Sequence, residues 1–236
     1  MGRHPKHTRC GYPVASTRRC SVMVPLANVL QFPRGGTLPS YCRSHQKVSL
    51  SANTVAVPTR RTNRTILCKS FIPADLEDRT QIVLRSLMSR PVRYSDRPGY
   101  IYALELADPS HPALIRIKVG RSNNVQLRLS QHRRRCPTFN PKLLGCLPYD
   151  SPTLCARPVR FCDRLERLVH VELADLSAKS HPAGRNAPRM RCTDCRSRHS
   201  EIFTFTRLQG KARGKEWHLI VRPVVQRWAR FIEQLV

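Results

Sequence analysis

Residues 99–120 read GYIYALELADPSHPALIRIKVG and contain two segments with the character of β-strands. Gly99–Leu106 is rich in aromatic and β-branched residues, which favours a strand. Leu114–Val119 alternates apolar with basic residues, and this period of two is typical of a half-buried strand. Because only residues 107–113 separate the two segments, we expect them to pair as an antiparallel hairpin.

The segments around this hairpin indicate an α+β fold. Apolar periodicity and capping residues predict four helices, at Asp75–Arg90, from Asn123 or Asn124 to about Arg135, at Phe161–Leu176, and from Pro223 onward. Three more segments have strand patterns: Lys142–Leu147, Glu201–Thr206 and Trp217–Val221. Helices and strands follow in mixed order without regular βαβ alternation, so a doubly wound parallel sheet is not expected.

The charge of the chain points to a polyanionic partner. The 236 residues include 42 Lys and Arg against 15 Asp and Glu, a formal net charge of +27, and 34 of the basic residues are arginine. This excess disfavours an enzyme of small metabolites and favours nucleic acid. The sequence contains no apolar run of about 18 residues, so we expect no membrane partner.

The charge also divides the chain. Residues 1–74 have no Asp or Glu and 12 Lys or Arg, which predicts a disordered basic N-terminal segment. This segment has the composition of a mitochondrial transit peptide and equally that of a phosphate-binding arm. Residues 75–97 are then a helix and linker, and 98–236 the domain. We expect a nuclear location, with the mitochondrion as the alternative.

Five residues of the domain occur in an informative order. Tyr102 lies on the first strand, and Lys118 is followed by Val-Gly at the end of the second. Arg128 comes eight residues after that glycine, and His132 comes one helical turn later. Glu166 lies on the next helix. This order resembles the GIY-YIG nuclease superfamily. More narrowly, it resembles the phage T-five open-reading-frame DNA-binding domains and their fungal relatives, in which lysine commonly replaces the second tyrosine.

The resemblance covers the chain from about residue 99 to the C-terminus and implies a central antiparallel sheet of about three strands flanked by helices. It also implies divalent-metal-dependent hydrolysis of phosphodiesters. Carried over residue by residue, Tyr102 orients or deprotonates the attacking water, and Arg128 holds the phosphate oxygens. Glu166 binds Mg²⁺, and His132 serves as a proton shuttle.

Two departures from the family pattern concern catalysis. Lys118 replaces a tyrosine, and a protonated lysine can bind phosphate but is a poor general base. The downstream asparagine of the family has no counterpart in this sequence. A non-catalytic nucleic-acid-binding module and a zinc-stabilised interaction domain therefore remain alternatives to an endonuclease.

A cysteine motif predicts a separate structural zinc site. Cys192 and Cys195 are two residues apart and His199 follows, which suits one tetrahedral Zn²⁺ in a loop with little core of its own. The fourth ligand is His170, with Cys136 and Cys162 as alternatives, and two free thiols are the competing interpretation. Glu172 is a rival metal ligand on an apolar helix face. Cys10, Cys20, Cys42 and Cys68 are assigned no role.

Arginines beside the predicted site supply a surface for a DNA backbone. The predicted phosphate contacts are Arg116, Arg121, Arg133, Arg134 and Arg135. Contacts of this kind position the backbone without reading bases, so binding should depend strongly on salt and weakly on sequence. Few aromatic residues lie among them, which disfavours a stacking platform for single strands.

Overall fold

A computed structural model describes residues 7–13, 18–25, 40–59, 62–93, 95–148, 157–180, 192, 194–196 and 201–236. Its strands are β1 (His7–Arg9), β2 (Met23–Pro25), β3 (Thr54–Pro58), β4 (Asn63–Leu67), β5 (Tyr100–Leu106), β6 (Leu114–Ser122), β7 (Lys142–Leu147) and β8 (Ile202–Thr206). Its α-helices are α1 (Arg43–Ser51), α2 (Asp78–Met88), α3 (Val125–Arg135), α4 (Cys162–Ser180) and α5 (Arg222–Glu233). Among the described helices, none has the length and apolar character needed to cross a bilayer.

The predicted hairpin forms the centre of a four-stranded sheet. The order is β7-β5-β6-β8, and all neighbours are antiparallel. Tyr102 lies opposite Gly120, and Leu104 lies opposite Lys118. The mixed α+β character is confirmed, but the sheet has one strand more than the three expected, because Ile202–Thr206 pairs with β6.

The two faces of this sheet carry unequal layers. One face packs against α4 and α5, and α2 packs on α4, in an extensive apolar core that includes Ile117, Leu165 and Trp228. The other face is covered by α3 and the turn after it, where Tyr102 packs near Leu129. The apolar cluster on this second face is smaller than the core on the first.

One predicted strand is wrong. Trp217–Val221 is a π-helical turn that leads directly into α5, with Pro223 in the first turn of that helix. The Trp217 indole lies against Gly145 of β7, where any Cβ would overlap its Nε1 atom. An apolar, β-branched sequence serves a buried helix as well as a strand, and here packing on β7 decided between them.

The N-terminal segment also differs from its prediction. Instead of disorder, the described part of residues 1–74 contains the β1–β2 hairpin, α1 and the β3–β4 hairpin. Val55 and Ile66 join the apolar core beside α2, and Val24 and Tyr41 pack on Ile82 of α2. A few apolar residues at strand positions therefore anchor a segment whose average composition is polar.

Candidate functional site

The tyrosine of the motif lies across the glycine on the next strand. A Cβ atom on Gly120 would lie 2.8 Å from Tyr102 Oη and 3.0 Å from Cζ, closer than real Cβ contacts. Only glycine therefore lets the ring rest on β6. The ring is 2% exposed, so its hydroxyl is held in one place beneath α3.

The Tyr102 hydroxyl meets two side chains of α3. His132 Nε2 lies 3.1 Å from Tyr102 Oη, and Arg128 Nε donates to the same oxygen at 3.4 Å. Asn124 caps the helix by accepting from Leu127 N at 2.9 Å. Because residues four apart share a helix face, α3 presents Arg128 and His132 side by side. We call Tyr102, Arg128 and His132 the hydroxyl cluster.

The electrostatics of this cluster favour the protonated tyrosine. Burial raises the pKa of Tyr102 above its ordinary value, and the hydrogen bond and charge of Arg128 only partly offset it. The carboxylates of Glu201 and Glu166 raise it further. At neutral pH the hydroxyl is therefore an intact donor, and His132 is the neighbour that could accept its proton.

Glu166 reaches the same end of the sheet from α4. Its Oε1 accepts from the backbone N of Arg121 at 3.0 Å, and its Oε2 lies 3.5 Å from Arg121 Nε. Asp163, one turn earlier on α4, pairs with the same guanidinium. Two carboxylates thus converge on Arg121, the residue next to Gly120. Sequence reasoning missed Asp163, although its i,i+3 spacing from Glu166 was visible.

Lys118 lies in a buried ion pair. Its Nζ donates to Glu201 Oε2 at 2.9 Å, and their side chains are only 6% and 13% exposed. The ammonium charge expected to bind phosphate is therefore already matched by a carboxylate. Glu201 was not predicted as part of the site, because it is 83 residues away in sequence.

A cleft of about 520 Å³ opens beside the hydroxyl cluster. Its lining includes the guanidinium-bearing residues Arg97, Arg121 and Arg128, together with Asn123 and Asp163. Arginine side chains grouped in this way suit a phosphate, which they can bind bidentately. Arg128 lines the cleft and also contacts Tyr102, so it links the two.

The predicted backbone-contacting arginines fall into two groups. Arg133, Arg134 and Arg135 are exposed at the end of α3, and Arg133 Nε donates to the Pro141 carbonyl at 3.3 Å. Arg116 instead pairs with Asp108 at 2.6 Å, and Arg121 pairs with the α4 carboxylates. The exposed triplet is thus the part of the predicted surface that is open to a polyanion.

A cysteine cluster lies at the end of α3. The ligand atoms of Cys136, Cys192 and Cys195 all lie within 4.8 Å of one another, so they could hold one metal ion. Asp194 accepts from Thr138 N at 3.0 Å and from its Oγ1 at 2.6 Å, which ties the cysteine loop to the turn after α3. Burial, together with the neighbouring thiols, raises the pKa of Cys136 to about 12.

The composition of this cluster corrects the predicted ligand set. His170, the first choice, instead places Nε2 2.9 Å from the carbonyl of Val119. Cys136, one of the two alternatives, takes its place, and Cys162 lies in the apolar core. His199 lies outside the described residues. The register of α4 against β6 decided where His170 points.

Glu172 has a structural role rather than that of a metal ligand. Its carboxylate pairs with Arg227 and accepts from Trp228 Nε1 at 2.7 Å. Burial raises its pKa, and the Arg227 charge and the Trp228 hydrogen bond oppose that shift. The cost of a carboxylate on an apolar helix face is thus offset by α5.

A second group of possible metal ligands was missed entirely. The ligand atoms of Cys10, Cys20, Cys42 and His45 lie within 4.8 Å of one another. Nine and 21 residues separate the three cysteines, which is outside the short spacings of familiar zinc motifs. The Cys42-x2-His45 pair was the one local signal that could have found the site.

The comparisons with known proteins give one match. The model of a family described as meiotically up-regulated gene 113 matches residues 114–231, which is half of the chain. The matched range begins at the first residue of β6 and includes Arg128 and Glu166, while Tyr102 precedes it. Neither a curated protein nor a solved structure matches the chain.

Proposed function

The chain belongs to the meiotically up-regulated gene 113 family, and we propose that it binds DNA through a GIY-YIG-type phosphodiester site. The observation that carries the proposal is the hydroxyl cluster: Tyr102 Oη lies across Gly120, 3.1 Å from His132 and 3.4 Å from Arg128. A hydroxyl, an imidazole and a guanidinium beside an arginine-lined cleft form a set that can bind and cleave a phosphodiester.

Each member of the cluster has a chemical task in this proposal. Arg128 binds two non-bridging oxygens of the phosphate and stabilises the charge that develops on them. The Tyr102 hydroxyl orients the attacking water, and its raised pKa favours orientation over deprotonation. His132, in contact with that hydroxyl, receives a proton from the water through Tyr102.

The α4 carboxylates are suited to a divalent cation. Glu166 and Asp163 offer hard oxygen donors, which Mg²⁺ prefers, and both already attract the cationic side chain of Arg121. Bound there, Mg²⁺ would supply Lewis-acid stabilisation of phosphate charge. Glu166 and Asp163 would hold the ion, and Arg121 would be free to turn toward the cleft that it lines.

The charge of the protein supports a DNA partner contacted along its backbone. The net charge is +27, and Arg133–Arg135 continue α3 directly from His132. Such contacts predict weak sequence preference and strong salt dependence. The three sulfur atoms of Cys136, Cys192 and Cys195, with His199 as the proposed fourth ligand, suit a structural Zn²⁺. We propose the nucleus as the location and the mitochondrion as the alternative.

Nicking of supercoiled plasmid in Mg²⁺ tests the proposed activity. Arg128→Ala and Glu166→Ala should each reduce nicking by about a hundredfold or more, since the first removes a cation that stabilises the transition state and the second removes a carboxylate that would hold Mg²⁺. Arg230→Ala is the matched control for Arg128→Ala, because Arg230 is an exposed arginine on α5 and its loss lowers the net charge by the same amount. Nicking that persists unchanged in both site variants would contradict the assigned site.

A non-catalytic DNA-binding module is the second candidate. Three observations favour it: Tyr102 is 2% exposed, Lys118 is paired with Glu201, and Arg121 covers both α4 carboxylates. Binding of a DNA duplex across a salt series separates the candidates from an interaction domain. Affinity that falls steeply between about 50 and 200 mM salt without any nicking identifies the module, and a flat response contradicts both DNA-binding proposals.

A further inference from the structure

Four potential metal ligands meet between the β1–β2 hairpin and α1. Cys10 directly follows β1, Cys20 precedes β2, Cys42 precedes α1, and His45 lies in the first turn of that helix. Their ligand atoms all lie within 4.8 Å of one another. Cys10 and Cys20 are buried, so the group faces inward.

Backbone hydrogen bonds hold the segments that carry these ligands. Cys10 N donates to Val22 O at 2.8 Å, and Cys20 N donates to Tyr12 O at 3.1 Å. Gly11 N donates to Ser40 O at 2.8 Å, which ties the hairpin to the start of α1. Four ligands from three separate segments are thus brought to one point by the backbone.

Two of the separations within this group are close to those of a tetrahedral metal site. His45 Nδ1 lies 3.3 Å from Cys42 Sγ and 3.6 Å from Cys10 Sγ. Zinc bonds of about 2.3 Å to sulfur and 2.0–2.1 Å to nitrogen place tetrahedral ligands roughly 3.5–3.8 Å apart. An ion bound by His45, Cys42 and Cys10 would therefore require only small shifts of these three ligand atoms, and Cys20 Sγ lies within 4.8 Å of each of them.

The imidazole is held in the orientation that a ligand needs. The Tyr12 ring stacks on His45 with centroids 4.2 Å apart and planes 6° from parallel. Tyr41 packs edge-on against Tyr12 at 5.3 Å. This stacking restricts the plane of the imidazole, and within that plane Nδ1 is the ring nitrogen that faces the Cys10 and Cys42 sulfur atoms.

We infer that Cys10, Cys20, Cys42 and His45 bind one structural Zn²⁺. Three thiolates and one imidazole are the ligands that zinc takes in closed structural sites, which need no open position for substrate. The site is independent of the proposed DNA chemistry.

The ion would replace a core that this part of the chain lacks. The apolar cluster here consists of Val24, Tyr41 and Ile82 with two of the cysteines, and Ile82 is supplied by α2. A metal site commonly supplies the folding free energy of such a small unit. Zinc would thereby fix on α2 a segment with five exposed basic residues, namely Arg9, Arg18, Arg19, Arg43 and Lys47.

Metal content of the purified full-length protein tests the inference. Cys42→Ser and His45→Phe should each lose about one equivalent of zinc relative to the wild type, since each removes a ligand. His45→Phe preserves an aromatic ring to stack on Tyr12, and His45→Cys should retain the ion. Cys146→Ser is the matched control, because Cys146 lies on β7 outside both ligand groups. Wild-type zinc content in Cys42→Ser and His45→Phe would overturn the site.

A measurement on the unaltered protein covers the case in which a variant fails to fold. Peptide-resolved alkylation should find Cys10, Cys20 and Cys42 protected, and a chelator should expose them to the reagent. Cys192→Ser leaves this protection in place, because it belongs to the other cluster. If the three thiols are alkylated at the same rate with and without the chelator, burial alone protects them. That result would contradict bound zinc.

Discussion

Two regions of the molecule differ in their apolar cores. The first is the N-terminal unit, formed by the described residues of 7–25 and by 40–51, and the second is the four-stranded sheet domain. The sheet domain buries large side chains such as Trp228, Phe231 and Leu165 completely. The N-terminal unit buries Val24 and Tyr41 beside its cysteines and depends on α2 for a further contact. Where apolar burial is small, metal ligands can supply the missing order, and the N-terminal unit has four residues that could hold a metal ion.

Cysteine occurs in two different environments in this protein. Cys68 and Cys162 lie inside the apolar core, and burial raises their pKa values, that of Cys162 to about 12. They behave there as small apolar residues. Cys10, Cys20 and Cys42 instead meet one another and a histidine. The number of cysteines in the sequence therefore says little until the fold shows which of them meet.

Removal of metal should give the largest difference between the two regions, measured as the change in their rates of amide hydrogen exchange. We expect a chelator to accelerate amide hydrogen exchange in the described residues of 7–25 and in 40–51 by about a hundredfold or more, since the proposed zinc supplies their stability. The central strands β5 and β6 should keep their protection, because the apolar core holds them. Mass spectrometry of exchanged peptides measures both. Equal acceleration in both regions would show that they unfold as one unit.

Truncation of the apolar core should have the next largest effect. Trp228→Ala removes a fully buried indole and the donor to Glu172, so we expect a loss of about 3–5 kcal/mol in the free energy of unfolding. Val24→Ala in the N-terminal unit should change the unfolding of the sheet domain by less than about 0.5 kcal/mol. Denaturant unfolding compares the two. Equal losses would remove the distinction between the regions.

Substitutions of two glycines in the sheet domain distinguish an effect on stability from an effect on the candidate site. Gly120→Ala forces Tyr102 off β6, and Gly145→Ala forces Trp217 off β7, so each should cost about 1–3 kcal/mol. Only the first also breaks the hydroxyl cluster, so nicking per folded molecule should fall in Gly120→Ala and persist in Gly145→Ala. Unfolding curves and plasmid nicking measure the pair. A Gly120→Ala protein with full activity would contradict the placement of Tyr102.

The smallest effect concerns the ionisation of Tyr102. Its folded pKa is raised above the ordinary value of about 10, so the protonated form stabilises the fold below that pH. This stability should be lost as the pH rises through the folded pKa, and Tyr102→Phe should lack that part of the pH dependence. Alkaline ultraviolet titration of both proteins gives the difference. A Tyr102 that ionises below pH 10 would contradict its buried environment.

The sequence predicted those elements whose pattern is local. The strands of residues 99–120 and the helices around Leu129 and Leu165 follow from periodicity and caps along one stretch of chain. Trp217–Val221 was wrong because the same apolar run suits either a strand or a buried helix. The prediction of disorder was wrong for the described part of residues 1–74, because its few apolar anchors are lost in a polar average.

The amino-acid order alone determined the hairpin, the major helices, the excess of positive charge and the candidates Tyr102, Arg128, His132 and Glu166. Only the tertiary structure decided that Arg121 covers Glu166, that Lys118 pairs with Glu201, and that Cys136 takes the place expected for His170. Periodicity is set by neighbours along the chain, whereas ligand sets and ion pairs depend on the register between distant elements. That register is fixed by packing between the elements, so it cannot be read from the sequence of any one segment.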